Sequence, residues 1–170
     1  MKTKRLVLTA MLTGIALVIF IIELQIPLPV SIPGIKLGLA NIVTLFALAA
    51  LGRREAFLVM ILRITLGCIF SGGVSTLIYS LSGGLCCYVV MCAAYKLLKN
   101  DLIWAVSALG GVAHNVGQIA AARFIMGTNG VFLYLPVLVV SGIMTGIFTG
   151  LCAYYVLKNR HISEFTEKQK

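Results

Sequence analysis

Acidic residues are scarce in this sequence of 170 residues. Aspartate and glutamate together number 5, and Asp101 is the only aspartate. Enzymes that hold magnesium diphosphates need several carboxylates close together, which a single aspartate cannot supply. The sequence also lacks a Gly-x-x-x-x-Gly-Lys-Ser/Thr loop for nucleotide phosphates and a histidine pair at metal-binding spacing. We therefore predict no catalytic residue, no metal and no cofactor in this chain, and no hydrolysis of nucleotides by it.

Charge of either sign is also rare. Charged residues make up 11% of the sequence and hydrophobic residues 60%, whereas charged residues approach a quarter of a soluble domain. The composition predicts an all-α integral membrane protein with room for a single bundle of six transmembrane helices. No linker separates a second domain, so we expect residues 1–170 to form one membrane domain.

Prolines, glycines and short polar runs divide the chain into six apolar spans. The prolines between Gln25 and Gly34 exclude a continuous helix there, and Asp101 is expected to cap the fifth helix. The basic N-terminus resembles a signal peptide without a cleavage site, so we expect its apolar run to remain as the first helix. The predicted spans are residues 5–25, 37–51, 56–70, 74–98, 101–126 and 131–157, followed by a polar cytoplasmic tail at about 158–170.

The positive charges indicate how the spans are oriented. The sequence has 14 lysines and arginines and a formal net charge of +9. If both termini are cytoplasmic, all of these cations except Lys36, Arg63 and Arg123 fall on the cytoplasmic side, as the positive-inside rule requires. The charge therefore indicates a multi-pass membrane protein with both termini in the cytoplasm rather than a protein that binds nucleic acid.

Seven polar residues interrupt the apolar spans. Because it is costly to remove such groups from water, a membrane protein usually keeps them for binding or transport. With a rise of about 1.5 Å per residue, they are predicted to lie at the midplane or in the extracellular half of the membrane. The seven are Glu23, Asn41, Arg63, His114, Asn115, Gln118 and Arg123.

The polar residues of the fifth span recur at three- and four-residue steps. His114, Asn115 and Gln118 therefore share one helix face, which should point into the bundle. They can serve either as hydrogen-bonding contacts between helices or as a ligand site. Arg63 needs a counter-charge at this depth, and Glu23 is its possible ion-pair partner.

The balance of charges in the outer half predicts the sign of a ligand. Lys36 and Arg63 outnumber Glu23, while Arg123 lies near the interface and is expected to reach the lipid headgroups. A ligand would therefore be anionic, and arginine suits carboxylate or phosphate recognition.

Small residues form two further patterns. Gly142, Gly146 and Gly150 recur every four residues on the sixth span, a pattern that allows close packing against another helix. Ala10 and Gly14 form a similar pair on the first span. For that pair, packing within the bundle and docking of a partner subunit remain equally open.

Several motifs resemble one bacterial family, and the similarity extends over about residues 5–157. The motifs at Pro33–Leu45 and Ser82-Gly83-Gly84 are the more specific. The chain looks like the heptaprenyl diphosphate synthase component I family, also called the Gx transporter family, and more distantly like the S components of energy-coupling-factor transporters. The motifs are Pro33–Leu45 (PGIKLGLANIVTL), Ala113–Gln118 (AHNVGQ), Leu62-Arg63, Ser82-Gly83-Gly84, Tyr134–Val137 (YLPV) and Ser141–Gly146 (SGIMTG).

The resemblance implies alternative functions. An S component would capture a small ligand from the extracellular side and depend on a membrane scaffold subunit with two ATPases. A component I would be a non-catalytic membrane partner of a catalytic prenyltransferase subunit in menaquinone side-chain synthesis. A structural subunit of a membrane redox complex is a third possibility. The transporter interpretation uses as its ligand-binding set Lys36, Asn41, Arg63, His114, Asn115 and Gln118.

Overall fold

The described part of the chain consists entirely of helices and their connections. The computed structural model describes residues 2–26, 35–71, 73–99 and 101–159. A 3₁₀ helix at Asn129–Tyr134 precedes the last α-helix. The α-helices are α1 (Lys2–Glu23), α2 (Asn41–Ala50), α3 (Arg53–Ser71), α4 (Val74–Leu98), α5 (Ile103–Met126) and α6 (Leu135–Lys158).

The six predicted spans correspond to these six helices, with differences at their ends. Helix α2 begins at Asn41 rather than residue 37, because Gly38 has a φ of +82° and cannot belong to a right-handed helix. Asp101 does not cap α5: the N-cap is Leu102, and no side chain caps it. Pro136 lies in the first turn of α6, where proline is tolerated. The proline cluster and the distal tail at 160–170 lie outside the described residues.

Three described helical segments are long and apolar enough to cross a membrane. They are Thr3–Glu23, Val74–Leu98 and Asn129–Lys158. Helix α2, at 10 residues, is apolar but shorter than the membrane requires. The prediction of a helical membrane protein is thus supported by three segments, and a bundle in which all six helices cross remains a proposal.

The glycine pattern of α6 packs against α5. A Cβ atom on Gly146 would lie 2.6 Å from the Cα of Ala108, and one on Gly142 would lie 2.9 Å from the carbonyl oxygen of Gly111. Gly150 meets Trp104 in the same way. Such distances leave no room for side chains, so the backbones of the two helices are in direct contact. The predicted packing role of this pattern is confirmed.

The other helices assemble around the shorter α2. Most of α2 is buried, including Leu45 and Ala47. Helices α1 and α3 contact each other through the Phe20 ring, which lies against Gly67. The connection before α2 is fixed to the remainder of the bundle by Ile35, which belongs to a buried apolar cluster with Tyr79 of α4 and Ile119 of α5.

Candidate functional site

Six polar side chains from five parts of the chain lie around the start of α2, and each of them is at most 5% exposed. We call this group the polar cluster. Glu23 ends α1, Lys36 lies in the connection to α2, and Asn41 begins α2. The group comprises Glu23 (4% exposed), Lys36 (5%), Asn41 (5%), Arg63 (3%), His114 (3%) and Gln118 (0%).

Gly38 provides the turn that closes the cluster. Its amide N–H donates a hydrogen bond to the Glu23 carboxylate. A Cβ atom at this position would lie 2.7 Å from both Asn41 Nδ2 and His114 Cδ2. A glycine is therefore required for two reasons, the positive φ and the close approach to these side chains. The turn brings the connection between α1 and α2 against α5.

Arg63 reaches the cluster from the middle of α3. Its Nη2 donates a hydrogen bond to Asn41 Oδ1, while its Nε has no hydrogen-bond partner in the described protein. Among the described residues, the direct ion pair is that of Arg5 with Glu55. Glu23 attracts Arg63 over a longer distance. Glu23 and Arg63 therefore do not form the direct ion pair that the sequence suggested.

Lys36 connects the cluster to α5 and α1. Its backbone N–H donates to Gln118 Oε1 over 3.2 Å. Its Nζ lies 3.3 Å from the centroid of the Phe20 ring, a cation–π geometry. Burial lowers the pKa of Lys36 to about 8, although the nearby Glu23 carboxylate opposes this shift. The ammonium group has no hydrogen-bond acceptor among the described residues.

His114 and Gln118 contact each other, and both lie against the backbone of α4 at Gly83. Their Nε2 atoms are 3.0 Å apart, within hydrogen-bonding distance. A Cβ atom on Gly83 would lie 2.8 Å from His114 Nδ1 and 2.9 Å from Gln118 Cγ. Gly83 therefore allows α4 to approach these two side chains and fixes their positions.

Asn115 makes its side-chain hydrogen bond to α6 rather than to a member of the polar cluster. Its Nδ2 donates to the carbonyl oxygen of Leu138 over 2.5 Å and lies 2.8 Å from the position of a Cβ on Gly142. This contact joins α5 to α6. Of the predicted ligand set, the structure therefore brings together Lys36, Asn41, Arg63, His114 and Gln118, and it directs Asn115 to a different interface.

Three further residues contribute to the cluster without having been predicted as part of the site. They are Phe20, Gly38 and Gly83. The two glycines do occur in the motifs on which the family resemblance rests, so that resemblance could have identified them. Phe20 is one apolar residue among many in α1, and no local pattern distinguishes it.

The cluster combines buried donors with an excess of positive charge. Four of its buried side-chain nitrogens have no partner in the described protein: Lys36 Nζ, Arg63 Nε, Asn41 Nδ2 and His114 Nδ1. Buried donors are normally paired because leaving them unpaired is costly. Two cations and one carboxylate, with donors still available, can bind a carboxylate or phosphate group.

The described residues offer no metal site, whereas helix α1 has an open face. The described residues contain no group of three or more His, Cys, Asp or Glu side chains that could hold a metal. On α1, Ala10 is exposed, and no atom lies within 4 Å of a Cβ built on Gly14. These two residues thus lie on an open face of α1 together with Leu6, Val7, Met11, Ile15, Val18 and Ile22.

Comparison with known proteins gives one match. Residues 12–156 match the family model for heptaprenyl diphosphate synthase component I. No curated protein and no solved structure matches the chain. Because the match covers most of the sequence, the chain belongs to the heptaprenyl diphosphate synthase component I family.

Proposed function

We propose that this member of the heptaprenyl diphosphate synthase component I family is a membrane protein that binds a small anionic ligand in the polar cluster. The observation that carries the proposal is the set of unpartnered donors on Lys36, Arg63 and Asn41. An anionic group would pair with these donors and neutralise the excess charge.

The proposed topology has all six helices crossing the bacterial plasma membrane with both termini in the cytoplasm. The lysine and arginine distribution supports this orientation. In this orientation, the polar cluster lies in the extracellular half of the membrane. Labelling a Ser31→Cys variant with a membrane-impermeant thiol reagent tests it, with the unsubstituted protein as the background control. Modification from outside the cell is expected, and modification from the cytoplasmic side alone contradicts the orientation.

In the uptake mechanism we propose, the polar cluster captures the ligand and a partner then reorients the chain. The partner would be a membrane scaffold with two ATPases, because this chain has no nucleotide-binding loop. Ala10 and Gly14 are the proposed contact on α1, since that face is open and small residues allow close helix approach. Lys36, Asn41, Arg63, His114 and Gln118 are the proposed ligand contacts, with Asn115 as a supporting residue.

A second function is favoured by the family match. The family's name implies a catalytic prenyltransferase partner, for which this chain would be the non-catalytic membrane component. The anionic group in the cluster would then belong to an isoprenoid diphosphate. A purely structural subunit of a membrane redox complex, the third possibility, predicts that the cluster pairs all of its polar atoms internally and encloses no cavity. The unpartnered donors argue against it.

Native mass spectrometry of the protein purified in mild detergent distinguishes these functions. A small polar anion that co-purifies supports uptake, and a prenyl diphosphate supports the component I function. The absence of any bound anion, also after incubation with a cell extract, contradicts both. Pull-down from membranes with the wild-type chain and a Gly14→Leu variant then shows whether a scaffold or a prenyltransferase is bound through α1.

A further inference from the structure

A second charged site lies at the opposite end of α2 from the polar cluster. There, a cavity of about 530 Å³ opens where α2 and α4 end and α3 begins. Leu48, the nearest cavity residue of α2, is seven residues from Asn41, about 10 Å along the helix. The cavity is therefore separate from the polar cluster. It is lined by Leu48, Ala49, Leu51, Gly52, Arg53, Tyr95, Lys96 and Lys99.

The cavity wall carries three cations and no acid. Arg53, Lys96 and Lys99 line it, and none of them is paired with a carboxylate in the described part of the chain. Of the described acids close in sequence to these cations, Glu55 is engaged by Arg5 at 3.3 Å, and Asp101 does not line the cavity. Arg53, Lys96 and Lys99 are exposed to solvent, and together they leave a net positive charge at the cavity.

Backbone geometry holds two of these cations at the cavity. The Tyr88 hydroxyl donates to the carbonyl oxygen of Arg53 over 2.9 Å, which fixes α4 against the start of α3. Lys99 has a φ of +50°, the only positive φ outside glycine among the described residues, and its N–H donates to Tyr95 O over 3.0 Å. A lysine rarely adopts this conformation, and here it turns the chain so that Lys99 borders the cavity.

The helix ends at the cavity have opposite effects on the binding of an anion. The N-terminus of α3 presents amide N–H groups that favour an anion, while the last carbonyls of α2 and α4 oppose it. The three side-chain cations decide the balance, because full charges exceed the partial charges of helix ends. Leu48, Ala49 and Leu51 add an apolar wall, so the cavity suits an anion that carries an organic portion.

We propose that this basic cavity binds the phosphate group of a phosphate ester, either the headgroup of an anionic membrane lipid or a soluble phosphate ester. Arg53 would contact two phosphate oxygens through its planar guanidinium, and the lysines would supply point charges. This site is independent of the ligand proposed for the polar cluster.

The test measures binding of two probes to the full-length protein in detergent by native mass spectrometry and thermal shift. The lipid probe is phosphatidylglycerol with phosphatidylcholine as its control, and the soluble probe is glycerol 3-phosphate with glycerol as its control. Binding of phosphatidylglycerol alone assigns the cavity to a lipid headgroup. Binding of glycerol 3-phosphate alone assigns it to a soluble ester, and binding of both confirms phosphate as the shared feature.

Matched variants show whether the cavity itself is responsible. Arg53→Gln and a Lys96→Gln/Lys99→Gln double variant should each weaken probe binding at least about tenfold. Arg54→Gln removes the adjacent exposed arginine, which does not line the cavity, and should change binding less than about twofold. Failure of both probes to bind the wild-type protein overturns the proposal. An equal loss in Arg54→Gln and Arg53→Gln also overturns it, since the cations would then act only as general surface charge.

Discussion

The α5–α6 interface and the polar cluster both bury polar side chains, but they satisfy them differently. In the interface, Ser107 Oγ and Thr149 Oγ1 lie 3.0 Å apart and satisfy each other between two closely packed backbones. Asn115 Nδ2 donates to Leu138 there, and only the neutral amide oxygen of Asn115 lacks a partner among the described residues at this interface. In the cluster, Lys36 and Arg63 keep donors without a partner in the described protein. Hydrogen bonds of the first kind hold helices together, whereas a membrane protein retains unpaired buried donors chiefly for a ligand. Substitutions in the interface should therefore affect stability, and substitutions in the cluster should affect binding.

The largest expected effect is on the interface. Gly111→Val should destabilise the protein by about 3 kcal/mol or prevent folding, because its side chain would clash with the backbone of Gly142. Thermal unfolding in detergent measures this effect. Gly14→Val is the matched control, since nothing lies within 4 Å of its Cβ, and its melting temperature should be unchanged. Equal destabilisation by both variants would refute the packing role of the α5–α6 glycines.

Next in size is the effect of removing the buried arginine. Arg63→Gln should weaken binding of the co-purified anion by about 1.5–3 kcal/mol, or roughly 10- to 150-fold, through loss of a charged hydrogen bond. Arg123→Gln is the control, because Arg123 donates to Asn129 outside the cluster. Titration calorimetry measures both variants, and gel filtration reports their folding. Loss of folding in Arg63→Gln, with ligand binding intact in the fraction that folds, would show that Arg63 is structural.

The pH dependence of binding tests the charge on Lys36. Its pKa is lowered to about 8, so the ammonium is protonated below that pH and neutral above it. Anion binding should therefore be strong below pH 8 and about tenfold weaker one unit above than one unit below. In Lys36→Arg the cation stays charged, and binding measured at about pH 7 and pH 9 should differ little. The same decline in both proteins would exclude Lys36 as its cause.

The smallest effect is expected for the ion pair between Arg5 and Glu55. Its side chains are 32% and 19% exposed, so solvent screens the attraction. A double-mutant cycle with Arg5→Gln and Glu55→Gln should give a coupling energy of about 0–1 kcal/mol that decreases with added salt. A coupling above about 2 kcal/mol would mean that this ion pair stabilises the contact between α1 and α3 about as much as glycine packing stabilises the contact between α5 and α6.

The number and approximate positions of the helices followed from the sequence, because they depend on runs of neighbouring apolar residues and on proline and glycine breaks. The buried face of α5 also followed, since His114 and Gln118 recur at helical spacing and both are buried. The sequence predicts a start of α2 that is four residues too early. The apolar run continues through Leu37–Ala40, and only the positive φ of Gly38 excludes those residues from the helix.

What the sequence determined by itself is the helical, membrane-compatible class of the chain and the excess of cations over acids among its buried polar residues. Both depend on composition and local periodicity. Only the tertiary structure decided the partners. In the structure, the Glu23 carboxylate accepts a hydrogen bond from the Gly38 N–H, Arg63 donates to Asn41, and Asn115 donates to Leu138 of α6. Such contacts join residues 15 to 23 positions apart, and their choice depends on how the helices cross and on which backbones glycine allows to approach.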